Sequence, residues 1–443
     1  MVRTLIAWIN HTCIGTLRES NGLWAFAYSA DWLADTGAYP LCPLLPLQAE
    51  EHIDGATQRP VQWYFDNLLP EEGQRTLIAE AAGVAIADAF ALLQHFGAES
   101  AGSITLLPPG ERPQPGSTQP LSAVTLSQRI QSMPEVPLAQ RAAKRMSLAG
   151  AQHKVAVIYR DGQLLEPVGS EPSTHILKPN HPGEDWRHSV INEWFVMTLA
   201  GRVGLPVPKV ARLYVPEPVF LIERFDRALT PDGCARLHCI DACQMDGLSR
   251  EFKYSAGSIE RLADLASRCR PSALARLRLF EWLVFNVLVG NEDAHLKNLS
   301  FLPTPKGVQL APFYDLLCTA VYGTKACDKD RWPEQAELAW PVLGRQRLPQ
   351  ISTELLLEAA EAMGIKPATA RQSVRKLVDA ISAAAPSLLD QVLAENAELV
   401  KAARNLRPHL AERCGCCGVL KPLLFVAWLG RCGVGSSGLS GNR

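Results

Sequence analysis

The chain has 443 residues, which is too long for a single hydrophobic core and indicates two or three domains. Hydrophobic residues make up 47% and charged residues 20%, the composition of an ordinary soluble globular protein. The net charge of -1 gives no electrostatic reason to expect nucleic acid or a membrane as a direct partner. The apolar run at the N-terminus is too short for a signal peptide or a membrane span, so we expect a cytoplasmic protein.

The N-terminal part, residues 1–102, is predicted to be a separate subdomain. Residues 4–17 contain strand-like segments on either side of Asn10-His11, which is typical of a β-hairpin. Residues 75–96 are rich in Ala and Leu and indicate one or two helices. Residues 103–140 are dense in Pro and Gly, the composition of a stiff linker, so we expect a domain boundary there.

Residues 141–228 show the order of elements of a kinase small lobe, which is strands, one helix and a further strand. The dipeptide Asp161-Gly162 predicts a tight turn between two of these strands. A helix is predicted from residue 189 and ends before Gly204. Residues 229–412 have mainly helical patterns, and the apolar run 279–290 indicates a buried helix.

The polar run from Asp293 to Asn298 follows that apolar helix directly. An aspartate and an asparagine five positions apart is the spacing of a protein-kinase catalytic loop, in which the aspartate accepts a proton and the asparagine holds magnesium. Residues 299–310 predict a β-hairpin that would return Asp315 to the side of Asn298. Two oxygen ligands together with substrate phosphates suit Mg²⁺. The spacing alone also occurs by chance, because Asp and Asn are common in turns.

Residues upstream supply candidates for nucleotide contacts, each with a plainer alternative. The stretch 146–152 has small residues that let backbone N–H groups approach phosphates, although its one glycine, Gly150, fits a plain turn equally well. Lys178 ends a strand as the phosphate-pairing lysine of kinases does, or is a solvated lysine. Glu193 is placed to pair with it, or is an acid favoured at a helix start. Residues 223–227 would form either a hinge whose backbone contacts the adenine or an ordinary polar segment that follows a strand.

Together these motifs resemble the HipA family, the serine/threonine-kinase toxins of bacterial toxin–antitoxin pairs. The resemblance covers most of residues 4–400, with the motifs in the same order. It implies an α+β, protein-kinase-like two-lobed fold, with a β-rich N-terminal lobe, an extra N-terminal subdomain and an all-helical C-terminal lobe. The matching segments are Phe65-Asp-Asn-Leu-Leu-Pro70, Ser147-Leu-Ala-Gly-Ala-Gln-His-Lys154, Thr174-His-Ile-Leu-Lys-Pro179, Asn192-Glu193, Gly204-Leu-Pro-Val-Pro208, Glu223-Arg-Phe-Asp-Arg227, Asp241-x-x-Gln244, Lys253-Tyr254, Asp293-x-His-x-Lys-Asn298 and Phe313-Tyr-Asp-Leu-Leu317.

The resemblance also implies site residues. Asp293 would be the catalytic base, and His295 and Lys297 would support its loop, with Lys297 close to the transferred phosphate. Asn298 and Asp315 would bind Mg²⁺. The residues expected to contact ATP are Ser147, Ala149, Gly150, Gln152, Lys154, Lys178, Glu223, Phe225 and Asn298. Ser147 would also be autophosphorylated, which inactivates the kinase because a phosphate dianion there ejects the phosphate loop and repels ATP.

The implied cofactors are ATP and Mg²⁺, and the implied substrate is an aminoacyl-tRNA synthetase. The implied partner is a small helix-turn-helix antitoxin, HipB-like, through which alone DNA would be bound. Two other functions remain open, a catalytically silent co-repressor scaffold and a small-molecule or lipid kinase of the same fold.

The sequence departs from the family pattern in three places. His153 stands where many relatives carry an acid, and residues 325–346 look diverged. The Cys- and Gly-rich tail, residues 413–443, has no recognisable counterpart and is expected to be disordered. Its C-x-C-C cluster does not have the paired spacing of zinc sites, so no metal is expected there.

Overall fold

The computed structural model describes residues 2–138, 150, 152–231, 233–323, 329, 331 and 334–406. The predicted C-terminal tail therefore lies outside the described residues. The chain forms two compact units, each assembled from three stretches. Unit 1 consists of Met1–Pro182, Pro208–Lys253 and Leu296–Pro312, and unit 2 of Gly183–Val207, Tyr254–His295 and Phe313–Arg443. The predicted catalytic loop is thus divided between the units at His295.

Unit 1 opens with a five-stranded antiparallel sheet. Its strands are β1 (Arg3–Ile9), β2 (Thr12–Ser20), β3 (Leu23–Tyr28), β4 (His52–Ile53) and β5 (Ile104–Leu107), in the order β4-β3-β2-β1-β5. The expected hairpin is formed by β1 and β2, and Asn10 makes its turn with a φ of 52°. Leu5, Ala7 and Ile9 of β1 are buried, which is the period-two pattern of a sheet with one covered face.

Four helices accompany this sheet. They are α1 (Ala30–Ala34), α2 (Pro60–Asp66), α3 (Glu72–Ala82) and α4 (Ala89–Phe96). The helical region predicted for residues 75–96 is therefore two helices, and Gly83 ends the first of them in a left-handed conformation (φ 66°). Phe65 of α2 packs against Phe26 of β3 with ring centroids 5.6 Å apart, which holds α2 on the sheet.

The second sheet of unit 1 carries two of the predicted nucleotide residues, Lys178 and Glu223. Its strands are β6 (Ser117–Pro120), β7 (Val155–Arg160), β8 (Gln163–Val168), β9 (His175–Pro179), β10 (Val210–Tyr214) and β11 (Pro218–Glu223), in the order β10-β11-β9-β7-β8-β6. Asp161 and Gly162 both have positive φ (52° and 77°), so they form the tight turn expected between β7 and β8. Lys178 lies on β9, a central strand of this sheet.

Residues 103–140 differ from the linker that their composition predicts. They contain β5, β6 and the helix α5 (Ala123–Gln131). Leu121 and Leu126 are buried in the same apolar cluster as Val155 and Leu177 of the second sheet. The prolines and glycines therefore connect short packed elements, because the few apolar side chains between them fill a core.

The remaining elements of unit 1 include two, β14 and α7, that contact the end of the catalytic loop. They are β12 (Arg227–Thr230), β13 (Gly233–Arg236), β14 (Ile240–Asp241), α7 (Ala242–Asp246), β15 (Ser300–Thr304) and β16 (Gly307–Leu310). The hairpin predicted after Asn298 is confirmed as β15 and β16. Asp241 begins α7 with a capping box, in which Asp241 and Gln244 each accept a hydrogen bond from the other's backbone N–H.

Unit 2 is mainly helical. It contains α6 (Ser189–Arg202), α8 (Ile259–Arg268), α9 (Ser272–Val289), α10 (Thr353–Ala362), α11 (Pro367–Leu406) and the strand pair β17 (Glu337–Val342) and β18 (Arg345–Arg347). The expected apolar helix is α9, and its Trp282 packs edge-on against Trp340 of β17 at 5.9 Å. This strand pair, in the diverged region, adds a small sheet that the sequence patterns did not predict.

By length and hydropathy, one segment of the described chain, Pro367–Glu395 in α11, could cross a membrane. A third of its most apolar window is buried inside the protein, and core helices of soluble proteins have the same composition. The segment is weak evidence for a membrane span.

Candidate active site

The predicted catalytic base, Asp293, stands shortly after the end of α9. Gly290 ends this helix in a left-handed conformation with a φ of 65°. Asn291 then turns the chain, because its Oδ1 accepts the N–H of Asp293 at 3.1 Å while its Nδ2 donates to Asn286 at 2.8 Å. The loop therefore starts from a fixed point on a buried helix.

Tyr254 holds the side chains at the start of the loop. Its hydroxyl donates to Oδ1 of Asp293 at 2.5 Å, and its ring meets the His295 ring edge-on at 5.0 Å. Tyr254 is therefore placed to orient both the carboxylate and the imidazole. Tyr254 matches a family position, but no local pattern in the sequence indicates that this tyrosine reaches a loop 39 residues away.

Exposure separates Asp293 from the rest of the loop. Asp293 is half-buried, whereas the five residues from Ala294 to Asn298 are all buried. A proton acceptor must reach its substrate, whereas a residue that supports the loop need not. Asp293 alone among these six residues combines a titratable side chain with substantial exposure.

Lys297 lies in a buried polar network of unit 1. Its Nζ donates to the carbonyl oxygen of Asn67 at 3.0 Å, to Oδ1 of Asn67 at 2.9 Å and to Oδ2 of Asp241 at 2.5 Å. Oε1 of Glu71 lies 3.5 Å away. Burial opposes the charge on Lys297, but Asp241 and Glu71 outweigh it and raise the pKa of Lys297. The lysine is therefore a buried cation held by two carboxylates.

This network bears on the supporting role expected for Lys297. A lysine ammonium carries three protons, and three acceptor atoms of Asn67 and Asp241 receive hydrogen bonds from it. The support of the loop that was expected from Lys297 is what these contacts provide. The additional expectation, contact with the transferred phosphate, stays a prediction.

Asp315 lies in unit 2 in a left-handed backbone conformation (φ 52°), which is uncommon for residues other than glycine and tolerated by Asp. Asn192 of α6 holds the segment that follows Asp315. Its Nδ2 donates to the carbonyl oxygen of Cys318 and its Oδ1 accepts the N–H of Cys318, both at 2.9 Å. Thr319 Oγ1 accepts the N–H of Glu292 at 2.6 Å. The segments that carry Asp293 and Asp315 thus belong to one hydrogen-bonded framework.

The proposed second magnesium ligand, Asn298, belongs to unit 1 and is buried in a short 3-10 turn, Leu296–Asn298. The expected approach of Asp315 to Asn298 stays a prediction, as does the pairing of Lys178 with Glu193.

Lys178 is buried rather than solvated. Its Nζ lies 5.9 Å from the centre of the Phe220 ring, on the neighbouring strand β11. A buried lysine over an aromatic face is costly to place unless its charge has a function or a partner. The solvated strand-end alternative is therefore excluded.

The predicted hinge residues at the end of β11 alternate between half-buried and buried. Arg224 and Asp226 are buried, whereas Glu223 and Phe225 are half-buried. Arg224 and Arg227 bind Asp226 and the buried Glu99, with Arg227 2.9 Å from Glu99. An ordinary polar strand exit would be solvated, so this alternative is wrong for the buried residues. Contact of Glu223 and Phe225 with adenine stays a prediction.

The phosphate-loop candidates are described in part. Ser147 and Ala149 lie outside the described residues, whereas Gly150, Gln152 and Lys154 lie within them. Gly150 has a φ of 104°, and a Cβ there would lie 2.6 Å from Nζ of Lys154. A side chain at this position would be strained and would displace the lysine. A plain turn has the same preference for glycine, so contact of this segment with phosphates stays a prediction.

Comparisons with known proteins identify the family of this chain. The HipA N-terminal domain matches residues 5–107 and the HipA-like C-terminal domain matches residues 146–385. The "Serine/threonine-protein kinase toxin HipA" of Shewanella oneidensis is 33% identical over 317 residues, which cover 67% of this chain and 70% of that protein. "Putative kinase Y4mE" of Sinorhizobium fredii is 34% identical over 406 residues, which cover 88% of this chain and 92% of that protein.

The fold has a counterpart among solved structures. A chain from the Shewanella oneidensis MR-1 complex of HipA, HipB and operator DNA superposes with a TM-score of 0.75 and 26% identity over 96% of each chain. This match confirms the predicted α+β, protein-kinase-like fold. With both family domains present in order and two relatives above 30% identity, the chain belongs to the HipA family of serine/threonine-protein kinases.

Proposed function

We propose that this protein is an ATP-dependent serine/threonine protein kinase that acts as the toxin of a toxin–antitoxin pair. The observation that carries the proposal is the contrast between the accessible Asp293 and the buried Lys297 in the catalytic loop. Asp293 is accessible and oriented by Tyr254, while Lys297 is buried and fixed by Asn67 and Asp241. A loop built in this way presents one proton acceptor in a fixed position, which is what phosphoryl transfer requires of the protein.

The proposed reaction assigns each step to a named side chain. Asp293 accepts the proton of the attacking serine or threonine hydroxyl while that oxygen bonds to the γ-phosphorus of ATP. The bond from the γ-phosphorus to its bridging oxygen breaks, and ADP leaves. Lys178 holds the phosphates, backbone groups near Gly150 approach them, and Glu223 and Phe225 receive the adenine.

The donor set also fits a magnesium ion. Asn298 offers an amide oxygen and Asp315 a carboxylate, the hard oxygen ligands that Mg²⁺ accepts beside phosphates and waters. The ion would neutralise phosphate charge during transfer.

The biological partners are part of the same proposal. We propose an aminoacyl-tRNA synthetase as the substrate, Ser147 as the autophosphorylated residue and a small helix-turn-helix protein as the antitoxin. The structural relative was solved together with HipB and operator DNA, which supports such a partner. The net charge of -1 supports DNA contact through the antitoxin alone, and we propose the cytoplasm as the location.

The test is incubation of the purified protein with γ-labelled ATP and Mg²⁺, with and without a bacterial lysate. Self-labelling at Ser147, found by mass spectrometry, and one dominant labelled lysate protein are expected. Folded Asp293→Asn should label neither, with a rate loss on the order of a hundredfold or more.

Other outcomes would redirect the assignment. Label confined to a small-molecule fraction would indicate a small-molecule kinase, and no label in any fraction would favour the co-repressor scaffold. Near-wild-type labelling by folded Asp293→Asn would contradict the assigned base.

A further inference from the structure

The segment Asn67–Glu71, between α2 and α3, contacts both loops of the proposed kinase site. It belongs to the part of the chain matched by the HipA N-terminal domain, outside the matched C-terminal domain. The two contacts are made by different atoms of this short segment.

The first contact is with the catalytic loop. Asn67 accepts two of the three hydrogen bonds from Lys297, through its carbonyl oxygen and its Oδ1. Oε1 of Glu71 lies 3.5 Å from the same ammonium, and Oε2 of Glu71 accepts a hydrogen bond from Lys253 at 2.5 Å. The backbone oxygen of Lys253 in turn accepts the N–H of Leu296, within the catalytic loop. Glu71 therefore reaches the loop by two routes.

The second contact is with the phosphate-loop candidate. Pro70 and Gly150 form an isolated parallel β-bridge, and the N–H of Glu71 donates to the carbonyl oxygen of Gly150 at 3.4 Å. These are backbone contacts, so replacing the Glu71 side chain leaves their groups in place.

The segment itself is rigidly held. The Nδ2 of Asn67 donates to the carbonyl oxygens of Trp63 at 2.8 Å and Leu248 at 2.9 Å, and Asn67 is only 2% exposed. Gln244, beside Asp241, donates to the carbonyl oxygen of Tyr64 at 2.8 Å. A rigid support of this kind can fix the loop to the accuracy that catalysis needs.

We propose that Asn67 and Glu71 are positioning residues for phosphoryl transfer, so that the N-terminal subdomain forms part of the kinase machinery. They act through Lys297 and Lys253 and do not touch the substrate. The proposal rests on the proposed kinase activity and assigns its loop geometry to a second part of the chain.

The side-chain and backbone contacts predict different kinetic effects. Glu71→Ala should lower kcat by about tenfold or more, because Lys297 and Lys253 lose a carboxylate and the loop shifts. KM for ATP should stay within about twofold, because the backbone bond to Gly150 is retained. Glu71→Gln keeps an acceptor for Lys253 and should recover part of the lost kcat. Asn67→Ala should show the same loss in kcat alone.

The matched control is Glu72→Ala. Glu72 follows Glu71 in the chain and also contacts Lys253, at 3.1 Å, but its side chain is 61% exposed. Its kcat and KM should stay within about twofold of wild type, since exposed ion pairs contribute little. The stoichiometry of ATP–Mg²⁺ binding by calorimetry reports the folded fraction of each variant and separates slow turnover from unfolding.

The outcomes distinguish a failure of the positioning role from a failure of the proposed kinase activity. An inactive wild-type protein would remove the proposed kinase function itself. An active wild type with unchanged kcat in Glu71→Ala, or a kcat loss that only follows a lower binding stoichiometry, would overturn the positioning role. If Glu71→Ala does not fold, Glu71→Gln decides, because a kcat equal to wild type at full stoichiometry would contradict the proposal.

Discussion

At the scale of single residues, the aspartate and the lysine of the catalytic loop have opposite surroundings. Asp293 is half-buried and bonded to an exposed tyrosine, whereas Lys297 is buried among Asn67, Glu71 and Asp241. The same short motif therefore contains the proposed reacting group and a buried supporting group. Substitutions should separate the two, because loss of an accessible base affects chemistry while loss of a buried cation also affects folding.

Tyr254→Phe should lower kcat by about tenfold, because the hydroxyl that orients the Asp293 carboxylate is removed. A hydrogen bond donated to a carboxylate favours its charged form. Without it, the rate should begin to fall at a higher pH than in wild type as the solution is acidified. The pH profile of kcat/KM measures both effects.

Tyr214→Phe is the control, because Tyr214 is a similarly exposed tyrosine on β10. Identical rates and pH profiles for Tyr254→Phe and wild type would show that the hydrogen bond to Asp293 has no catalytic role.

Asp315→Ala should weaken binding of ATP in the presence of Mg²⁺ by at least about tenfold, because only the amide oxygen of Asn298 then remains as a side-chain ligand. Binding of ATP without the metal should change much less. Calorimetric titrations with and without Mg²⁺, beside the surface variant Asp390→Ala, measure the difference. Unchanged affinity in Mg²⁺ would exclude Asp315 as a ligand.

At the scale of elements, a buried ion cluster of unit 1 holds the residues that directly follow β11. Glu99 lies within 2.9 Å of Arg227 and 2.8 Å of Arg236, and Asp226 binds Arg224 at 2.6 Å. Such clusters are poor evidence for extra stability, but removing one partner leaves uncompensated buried charge. The cluster joins the end of the first sheet to the predicted hinge, so hinge geometry should depend on it.

Asp226 gives this cluster a defined dependence on pH. Burial would raise its pKa, but Arg224 and Arg227 outweigh burial and lower the pKa of Asp226 to about 2. A carboxyl with a lowered pKa stabilises the fold above its ordinary pKa, and that contribution is lost as the pH falls through the folded value. The loss should therefore occur between about pH 4 and pH 2.

Asp226→Asn should lower the free energy of unfolding at pH 7 by about 3 kcal/mol and should reduce its fall between pH 4 and pH 2. Urea denaturation at several pH values measures both. Asp264→Asn removes an exposed partner of Arg268 and should have little effect. Equal behaviour of the two variants would show that the buried cluster does not contribute in this way.

At the scale of the whole molecule, the chain combines a near-neutral charge with a family in which the structural relative was solved with HipB and DNA. Affinity for DNA requires several Lys or Arg residues that neutralise phosphates together. Near-neutral charge without a basic run in the sequence favours recruitment by a partner over direct binding.

We therefore expect a small DNA-binding protein, encoded beside this chain, to co-purify with it. In gel-shift assays the chain alone should leave operator DNA unshifted, and adding it to the partner should supershift the partner's band. Salt-sensitive, nanomolar binding by the chain alone would contradict this expectation.

The sequence by itself determined the features that depend on neighbouring residues. The turns at Asn10 and at Asp161-Gly162, the apolar helix ended by Gly290 and the hairpin after Asn298 follow from side-chain periodicity and turn chemistry, which act over a few residues. The order of the motifs was enough to indicate the family. The site residues on these elements could therefore be proposed in advance.

Only the tertiary structure decided which distant groups meet. Lys297 binds Asn67, 230 positions earlier, and the contact between Arg224 and Asp226 extends to Glu99, more than 120 positions earlier. Residues 103–138 also form packed elements rather than the predicted linker. The physical reason is that the partner of a buried charge is set by which surfaces the fold brings together. Local pattern therefore located the loop, and long-range packing decided which side chains hold its lysine.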